Sequence, residues 1–225
     1  MTERISIAID GPAAAGKSTI AKIVAESLGY AYIDTGAMYR ALTWKAQQQQ
    51  IDATDGERLA ALLRGMTIEL KPSPSGQLVY VDGEDVTDVI RTPKVTNAVS
   101  QVATHEPVRE RMVELQRSIG EAGAVVMDGR DIGTAVLPFA QLKIFMTASV
   151  EERAERRYAE NKSRGIETPL EELKEEIRKR DRLDTEREHS PLVQAEDALL
   201  VDTTGRTIEE VAREIEQLAK ERIAK

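Results

Sequence analysis

One segment constrains the fold of this chain more than any other, and it runs from Gly11 to Thr19 with the sequence GPAAAGKST. It fits the pattern G-x-x-x-x-G-K-[ST] of a phosphate-binding loop. An apolar run, Ile5 to Ile9, precedes it and predicts a buried strand, while a helical pattern that Gly29 ends follows it. A glycine-rich turn between strand and helix is the context that this motif requires. We call residues 11–19 the cradle.

The cradle residues predict a site for ATP or GTP. Successive backbone N–H groups and a helix N-terminus surround a phosphate, and glycines allow the backbone angles this needs. Lys17 is expected to bridge the β- and γ-phosphates, and the Ser18 hydroxyl to ligate Mg²⁺. No guanine-reading N-K-x-D segment is present, which argues against a switch GTPase. The predicted ATP-binding residues are Gly11, Pro12, Ala13, Ala14, Ala15, Gly16, Lys17, Ser18 and Thr19.

Short apolar runs alternate with helical patterns along most of the chain, which predicts an α/β fold. A five-stranded parallel sheet covered by helices on both faces follows from this alternation. The predicted strands are residues 5–9, 30–33, 124–127, 142–146 and 199–201. The predicted helices occupy 17–28, 35–50, 92–103, 106–120, a stretch opening at Ser149, 170–183 and a last helix capped by Thr207.

One region departs from this alternation. Residues 67–70 and 78–81, with a short piece near Val86, read as strands, and the turn residues Pro72, Pro74, Gly76 and Asp82-Gly83 separate them. This pattern predicts a small antiparallel sheet inserted into a single domain spanning 1–225. Its predicted parts are a core (1–34, 111–148 and 188–225), an arm segment (about 35–110) and a lid segment (about 149–187).

Composition and charge exclude several classes of protein. The 225 residues contain no Cys and two His, so disulfides and thiolate metal sites are excluded. The net charge of −8 argues against broad nucleic-acid binding. No apolar run approaches the roughly 18 residues of a membrane span, and the start does not resemble a signal peptide. We expect a cytoplasmic monomer without membrane or nucleic-acid partners.

Arginine is the unusual component, with 20 Arg against 11 Lys. Guanidinium groups suit bidentate contacts to phosphate. Arg40 lies one helical turn after the second strand, and Arg130 directly follows the third. Ligands of open α/β sheets bind beyond the carboxyl ends of the strands, so both should face the cradle and grip a second phosphate. Asp128, which ends the third strand, is expected to hold Mg²⁺ with Ser18, directly or through water.

Two predicted helices rich in arginine are expected to form the lid segment. Arg153, Arg156 and Arg157 share one face of the first helix, since they are spaced i, i+3 and i+4. Arg180, Asp184 and Arg187 share a face of the second if that helix persists. A polar loop around Arg164-Gly165 joins the two helices. Closure of such a lid excludes water and brings cations to a transferring phosphoryl group.

No general base stands out, because His105 and His189 fall in predicted loops. This absence favours a phosphate as the acceptor, since its second pKa near 6 leaves it ionised at neutral pH. An alcohol acceptor would ordinarily need a carboxylate at its hydroxyl. Asp34 or Asp131 could serve in that role, so a small-alcohol kinase of the shikimate or gluconate type stays open.

Four segments together resemble the bacterial cytidylate kinases: IDGPAAAGKST (9–19), YIDTGAMYRA (32–41), VVMDGRDIGT (125–134) and KRDRLDTER (179–187). The resemblance covers essentially the whole chain, including the inserted sheet. It implies a P-loop kinase fold and ATP-dependent, Mg²⁺-assisted phosphorylation of CMP and dCMP. The cradle here has Ala13-Ala14-Ala15 where many monophosphate kinases carry an extra Gly, and Thr35 stands where Ser is also found.

The resemblance also implies roles for individual residues. Arg40 and Arg130 would hold the acceptor phosphate, and Lys17, Arg130, Arg153 and Arg157 would be catalytic. The remaining residues implied around the cytosine, the pentose and the acceptor are Thr35, Ser100, Arg109, Asp131, Arg180, Asp184 and Arg187. The exocyclic amine of cytosine can donate a hydrogen bond to a carboxylate such as Asp131. Uracil has an acceptor oxygen at the same position, so UMP should be disfavoured.

Three rivals to this interpretation stay open. The first is a kinase with another acceptor, either UMP or a small alcohol. The second is a module that binds ATP as a regulatory switch without transferring a phosphoryl group. The third is nucleic-acid binding by the arginine-rich helices, although acidic residues such as Glu171 and Glu172 are interleaved there.

Overall fold

The computed structural model describes residues 4–73, 76–163 and 165–224, so the turn residues Pro74 and Arg164 lie outside the described residues. Its centre is a five-stranded parallel sheet, which confirms the predicted sheet. The strands are β1 (Ser6–Asp10), β2 (Ala31–Asp34), β6 (Val125–Gly129), β7 (Leu142–Thr147) and β8 (Leu199–Asp202). Their order across the sheet is β2-β6-β1-β7-β8.

The strand register brings three carboxylates to one edge of this sheet. Asp34 of β2 lies beside Asp128 of β6, and Asp10 of β1 lies beside Gly129. All three aspartates are buried at the carboxyl ends of neighbouring parallel strands. This edge is where open α/β sheets bind ligands.

Helices cover both faces of the sheet. On one face, α1 (Lys17–Leu28) and α8 (Ile208–Ile223) bury an apolar stripe against β1 and β7. On the other face lie α5 (Glu106–Gly120) and a π-helical turn (Ile132–Val136) that follows β6. Gly29 ends α1 with a φ of 66°, and Thr207 with Glu210 forms the predicted capping box of α8.

The arm segment contains the predicted inserted sheet and has its own apolar core. The antiparallel strands are β3 (Ile68–Ser73), β4 (Gly76–Val81) and β5 (Glu84–Asp85), and β3 and β4 pack with α2 (Thr35–Gln48) and α4 (Pro93–Val102). The exposed strand β5 is the short piece predicted near Val86. A helix that is not among the predicted elements, α3 (Gly56–Gly65), completes this core.

The lid segment contains two helices, α6 (Val150–Ser163) and α7 (Leu170–Glu186), which pack against each other through a small apolar cluster around Ala154, Leu173 and Ile177. Because α7 ends at Glu186, Arg187 lies just beyond the helix. Over the part of the chain that the structure describes, no helix is both long enough and apolar enough to cross a membrane.

Candidate active site

A cleft of about 850 Å³ opens beyond the carboxyl ends of the strands, between the cradle, the arm segment and the lid segment. Arg40 and Arg130 line this cleft together with Lys17. Among the residues predicted from the sequence, Gly11, Pro12 and Arg153 do not line it. The predicted residues that do are Ala13, Ala14, Ala15, Gly16, Lys17, Ser18, Thr19, Thr35, Arg40, Ser100, Arg109, Asp128, Arg130, Asp131, Arg157, Arg180, Asp184 and Arg187.

The cradle adopts backbone angles that explain its composition. Gly11 has a φ of 147°, and a Cβ there would lie 2.0 Å from the carbonyl oxygen of Met146, so no larger residue fits. Ala14 adopts a φ of 60°, a left-handed conformation that costs an L-residue roughly 1–2 kcal/mol. Gly16 precedes the first turn of α1 with a φ of 90°. The loop is therefore curled with its helix N-terminus facing the cleft, as phosphate binding requires.

Lys17 is buried at the bottom of the cleft, and its Nζ donates a hydrogen bond to the carbonyl oxygen of Pro12 at 2.7 Å. Burial, together with the nearby Arg130, holds the pKa of Lys17 below its ordinary value. A buried ammonium with one neutral acceptor and a cationic neighbour gains stabilisation when an anion enters. The position therefore suits a phosphate ligand.

Ser18, Tyr32 and Asp128 form a connected group beside the cradle. The Ser18 hydroxyl donates to Oδ2 of Asp128 at 2.8 Å, and the Tyr32 hydroxyl donates to Oδ1 at 2.9 Å. Burial and the neighbouring Asp34 raise the pKa of Asp128, so a cation at this point would stabilise its charged form. A hydroxyl and a carboxylate are oxygen donors of the kind Mg²⁺ prefers.

A metal ion at Ser18 and Asp128 would need additional ligands. Within residues 4–73, 76–163 and 165–224, no cluster of three acidic or His side chains could hold a metal by itself. Mg²⁺ is commonly held by one or two protein oxygens while phosphates and water complete its shell. The donor set therefore fits a Mg²⁺ that arrives with a nucleotide.

Asp34 holds two arginines of the arm segment in the cleft. Its Oδ2 accepts from Nη2 of Arg40 at 2.7 Å and from Nη2 of Arg91 at 3.3 Å, while its Oδ1 caps α2 by accepting from the N–H of Ala37. Burial alone would raise the pKa of Asp34, but the two guanidinium groups keep it below its ordinary value. One carboxylate thus faces two cations, which leaves net positive charge for an incoming anion.

Arg130 and Arg180 supply positive charge from the core and from the lid segment. Nε of Arg130 donates to Oδ2 of Asp184 on α7 at 2.7 Å. Arg180 makes no hydrogen bond or ion pair with the described residues, and its Nε is buried. Burial, the nearby Arg130 and, more weakly, Arg40 and Arg157 lower the pKa of Arg180 to about 10. These guanidinium groups converge without enough anions to balance them, which makes an anion site.

A second polar group lies deeper in the arm-facing part of the cleft. Nη2 of Arg109 donates to Oδ2 of Asp131, while Nη2 of Arg187 lies 3.8 Å from Oδ1. Among the described residues, that Oδ1 accepts no hydrogen bond. The side chain of Ser100 also lines this region, and the Thr35 hydroxyl donates to the backbone carbonyl of Asp128 at 2.6 Å. The group offers both donors and acceptors to a polar ring.

The three arginines of α6 differ in what they contact. The guanidinium of Arg153 is buried, and both of its terminal nitrogens donate to Asp181 of α7. Arg156 contacts the carbonyl oxygen of Ala15 in the cradle and both oxygens of Thr203. Arg157 lies 3.7 Å from a carboxylate oxygen of Glu160 and lines the cleft. Arg157 is therefore the α6 arginine most available to a ligand.

Several residues of the site are not predicted by the sequence motifs. Asp10 accepts from the N–H groups of Ile132 and Gly133, which ties β1 to the turn after β6. Its signal is present in the sequence, because the apolar runs of β1, β2 and β6 are each followed directly by an Asp. Arg91 and Tyr32 carry no comparable signal, since their contacts depend on how the arm segment and β2 pack.

Comparison with known proteins gives a consistent result. A family model described as cytidylate kinase matches residues 7–221. The cytidylate kinase of Geobacillus thermodenitrificans is 62% identical over 223 residues, covering 99% of this chain and all of the relative. That of Enterococcus faecalis is 61% identical over 219 residues, 97% of each chain. An uncharacterized protein from Eubacterium ventriosum shares the fold alone, with a TM-score of 0.55 and 11% identity over 97% of this chain and 99% of that one. This chain belongs to the cytidylate kinase family.

Proposed function

We propose that this protein transfers the γ-phosphoryl group of ATP to CMP and dCMP, giving CDP and dCDP. The observation that carries the proposal is the cleft itself, in which the cradle and a second, unbalanced cluster of guanidinium groups face the same space. A switch that only binds ATP has no need of the second cluster. Membership of the cytidylate kinase family supports CMP as the acceptor.

The donor half of the proposed reaction belongs to the cradle. Residues 13–19 of the cradle wrap the phosphates of ATP with their backbone N–H groups, and Nζ of Lys17 leaves the Pro12 carbonyl to contact the β- and γ-phosphates. Ser18 and Asp128 would hold Mg²⁺, which supplies charge neutralisation for the ATP phosphates when it is bound. Arg157 covers the transferred group from the lid segment.

The acceptor half uses the guanidinium cluster. Arg40, Arg130 and Arg180 bind the acceptor phosphate and align one of its oxygens with the γ-phosphorus. No side chain has to remove a proton, because that oxygen is already ionised near neutral pH. Phosphoryl transfer depends mainly on positioning and charge stabilisation, which this cluster supplies.

Selectivity for cytosine is assigned to the group around Asp131. Its Oδ1, which accepts no hydrogen bond from the described residues, accepts one from the exocyclic amine, while Arg109, Ser100 and Thr35 donate to the ring acceptors. Asp184 and Arg187 contact the pentose side of the nucleotide. Uracil presents an oxygen where cytosine has its amine, so it would face the Asp131 carboxylate unfavourably. UMP is therefore expected to react more slowly.

The arm segment and the lid segment are proposed to close over the two nucleotides as parts of one domain spanning 1–225. Closure excludes water, which prevents hydrolysis of ATP and strengthens the contacts to the transferred group. The catalytic role of Arg153 stays a prediction. In this structure its Nε and both terminal nitrogens already donate to protein oxygens, which favours an indirect role.

The direct test is an ADP-release assay with ATP, Mg²⁺ and a panel of acceptors. The panel holds CMP, dCMP, UMP, AMP and GMP, with shikimate and gluconate as alcohols. We expect the highest kcat/KM for CMP and dCMP and a value at least about tenfold lower for UMP. Fastest release with an alcohol would support the small-alcohol alternative. Tight ATP binding without acceptor-dependent release would indicate a regulatory module.

A further inference from the structure

Two ion pairs attach α7 to the rest of the protein at the cleft. Asp184 pairs with Arg130, which follows β6, and Asp181 pairs with Arg153 of α6. The two aspartates are three residues apart on α7, so they occupy adjacent positions on one helix face. Arg180, the proposed acceptor-phosphate ligand that makes no hydrogen bond or ion pair with the described residues, immediately precedes Asp181. These two pairs, together with the apolar contacts to α6, therefore hold α7 at the cleft.

The pair between Arg153 and Asp181 has the geometry of a strong contact. Nη1 donates to Oδ1 at 2.9 Å and Nη2 to Oδ2 at 2.7 Å, which is a bidentate arrangement. The Arg153 side chain is 5% exposed and that of Asp181 is 24% exposed, so solvent screens the pair less than a surface pair. Neither side chain lines the cleft. The pair therefore acts on the site indirectly.

The same guanidinium also contacts the phosphate-binding loop. Nη1 of Arg153 lies 3.3 Å from the carbonyl oxygen of Ala13 in the cradle, and Nε donates to the carbonyl oxygen of Ala148 after β7 at 3.0 Å. One planar group thus joins the cradle, the end of a core strand and α7. This guanidinium is therefore a direct physical connection between the loop and α7.

The charge of Asp181 extends to the acceptor side of the cleft as well. Burial alone would lower the pKa of Arg130, but the carboxylates of Asp184, Asp128 and Asp181 together raise it above its ordinary value. Asp181 is therefore near both the guanidinium that touches the cradle and the guanidinium proposed to bind the acceptor phosphate.

We propose that Asp181 is a positioning residue that couples donor binding to acceptor binding through Arg153. The inference rests on the proposed function and deepens it. Asp181 keeps Arg153 on the cradle carbonyl and at the same time fixes the turn of α7 that carries Arg180 and Asp184. Occupation of the cradle then improves the placement of the acceptor-binding groups, and by linkage the acceptor improves donor binding by the same factor.

The test measures this coupling directly. Isothermal titration gives the Kd of CMP for the whole protein with and without a saturating non-hydrolysable ATP analogue and Mg²⁺. We expect the analogue to tighten CMP binding at least about fivefold in the wild type. Asp181→Asn should bring this ratio to within about twofold of one, and Asp181→Glu should restore most of it. Glu171→Gln, which removes an exposed pair with Lys174 on the same helix, should leave the ratio unchanged.

The outcomes separate the possible roles. If Asp181 only stabilised the fold, Asp181→Asn would lower Tm or weaken both ligands equally while the ratio stayed at its wild-type value, and this result would overturn the proposal. Arg153→Lys, which keeps the charge and loses the bidentate contact, provides the same test should Asp181→Asn fold poorly. A wild-type ratio of one also overturns it. Failure of the wild type to bind CMP would instead contradict the proposed function.

Discussion

The hydroxyl of Ser18 donates a hydrogen bond to Oδ2 of Asp128 across 2.8 Å, which joins the first turn of α1 to the end of β6. The two residues are 110 positions apart, and the parallel sheet brings them together because β1 and β6 are neighbours. Ser18 and Asp128 are the residues that would hold Mg²⁺ in the proposed reaction, where the metal would neutralise charge on the donor phosphates.

Asp128→Asn should raise the Mg²⁺ concentration that gives half-maximal activity by at least about tenfold, because an amide oxygen is a weaker ligand than a carboxylate. The measurement is the initial rate with ATP and CMP over a Mg²⁺ titration. Asp202→Asn, at the exposed end of β8 and outside the cleft, is the matched control. An unchanged half-saturation in Asp128→Asn would contradict the metal assignment.

Arg130→Met should lower kcat by at least about 100-fold, a cost typical of losing one group that stabilises developing charge. Equilibrium binding of ATP should change by no more than a few fold, since the cradle remains. The kcat of Arg130→Lys should lie between those of the wild type and Arg130→Met, because lysine keeps the charge without the fork of N–H groups. Arg213→Met, on the exposed face of α8, controls for loss of an arginine. A steady-state rate unaffected by Arg130→Met would show that the acceptor assignment is wrong.

Gly11→Ala should abolish ATP binding, because its Cβ would lie 2.0 Å from the Met146 carbonyl oxygen and the loop backbone must move. Gly205→Ala makes a suitable comparison. Gly205 also has a positive φ, 68°, but no atom lies within 4 Å of a Cβ there, so only the roughly 1–2 kcal/mol conformational cost applies. Thermal unfolding and ATP titration of both variants measure the difference. Equal behaviour of the two variants would refute the close approach at Gly11.

Asp10 should titrate well above an ordinary aspartate, because burial outweighs its two backbone hydrogen bonds and raises its pKa to about 6. As pH rises from about 4 to about 6, the unfolded chain loses this proton before the folded protein does. The contribution of Asp10 to the free energy of unfolding therefore falls across that window and is constant above it.

Carbon NMR of the labelled carboxyl groups measures this titration directly. The exposed Asp52, whose pKa is held below its ordinary value by hydrogen bonds from Thr54, provides the internal reference. A midpoint for Asp10 below about pH 4.5 would be incompatible with the burial argument.

Much of this architecture is predictable from the sequence. The cradle motif and the alternation of apolar runs with helical patterns predict the parallel sheet. The turn residues of the inserted segment predict the antiparallel sheet, and both sheets occur in the chain where they are predicted. Arg40 and Arg130 could be placed at the cleft because each follows a strand whose carboxyl end must face the cradle. These predictions depend on local pattern and on one topological rule.

Other parts depend on packing that no local pattern carries. The helix α3 is an exception, because its buried residues Leu59, Ala60 and Leu63 have the spacing of one helix face, so a local signal for it is present in the sequence. The partner of Arg153 is Asp181, 28 residues away on another helix, and charge spacing within α6 instead favours its own Glu residues. The contact of Arg91 with Asp34 requires the arm segment to be folded first. Side-chain pairing between elements is thus the level at which prediction from sequence stops.

The central claim is that the two clusters in the cleft bring a donor and an acceptor phosphate together for direct transfer. Incubation with CMP, Mg²⁺ and ATP labelled in its γ-phosphoryl group tests it most directly. We predict that the label appears in CDP in an amount equal to the ADP formed, and that Lys17→Ala reduces both to background. Label recovered as inorganic phosphate, with ADP formed and no labelled CDP, would contradict the account.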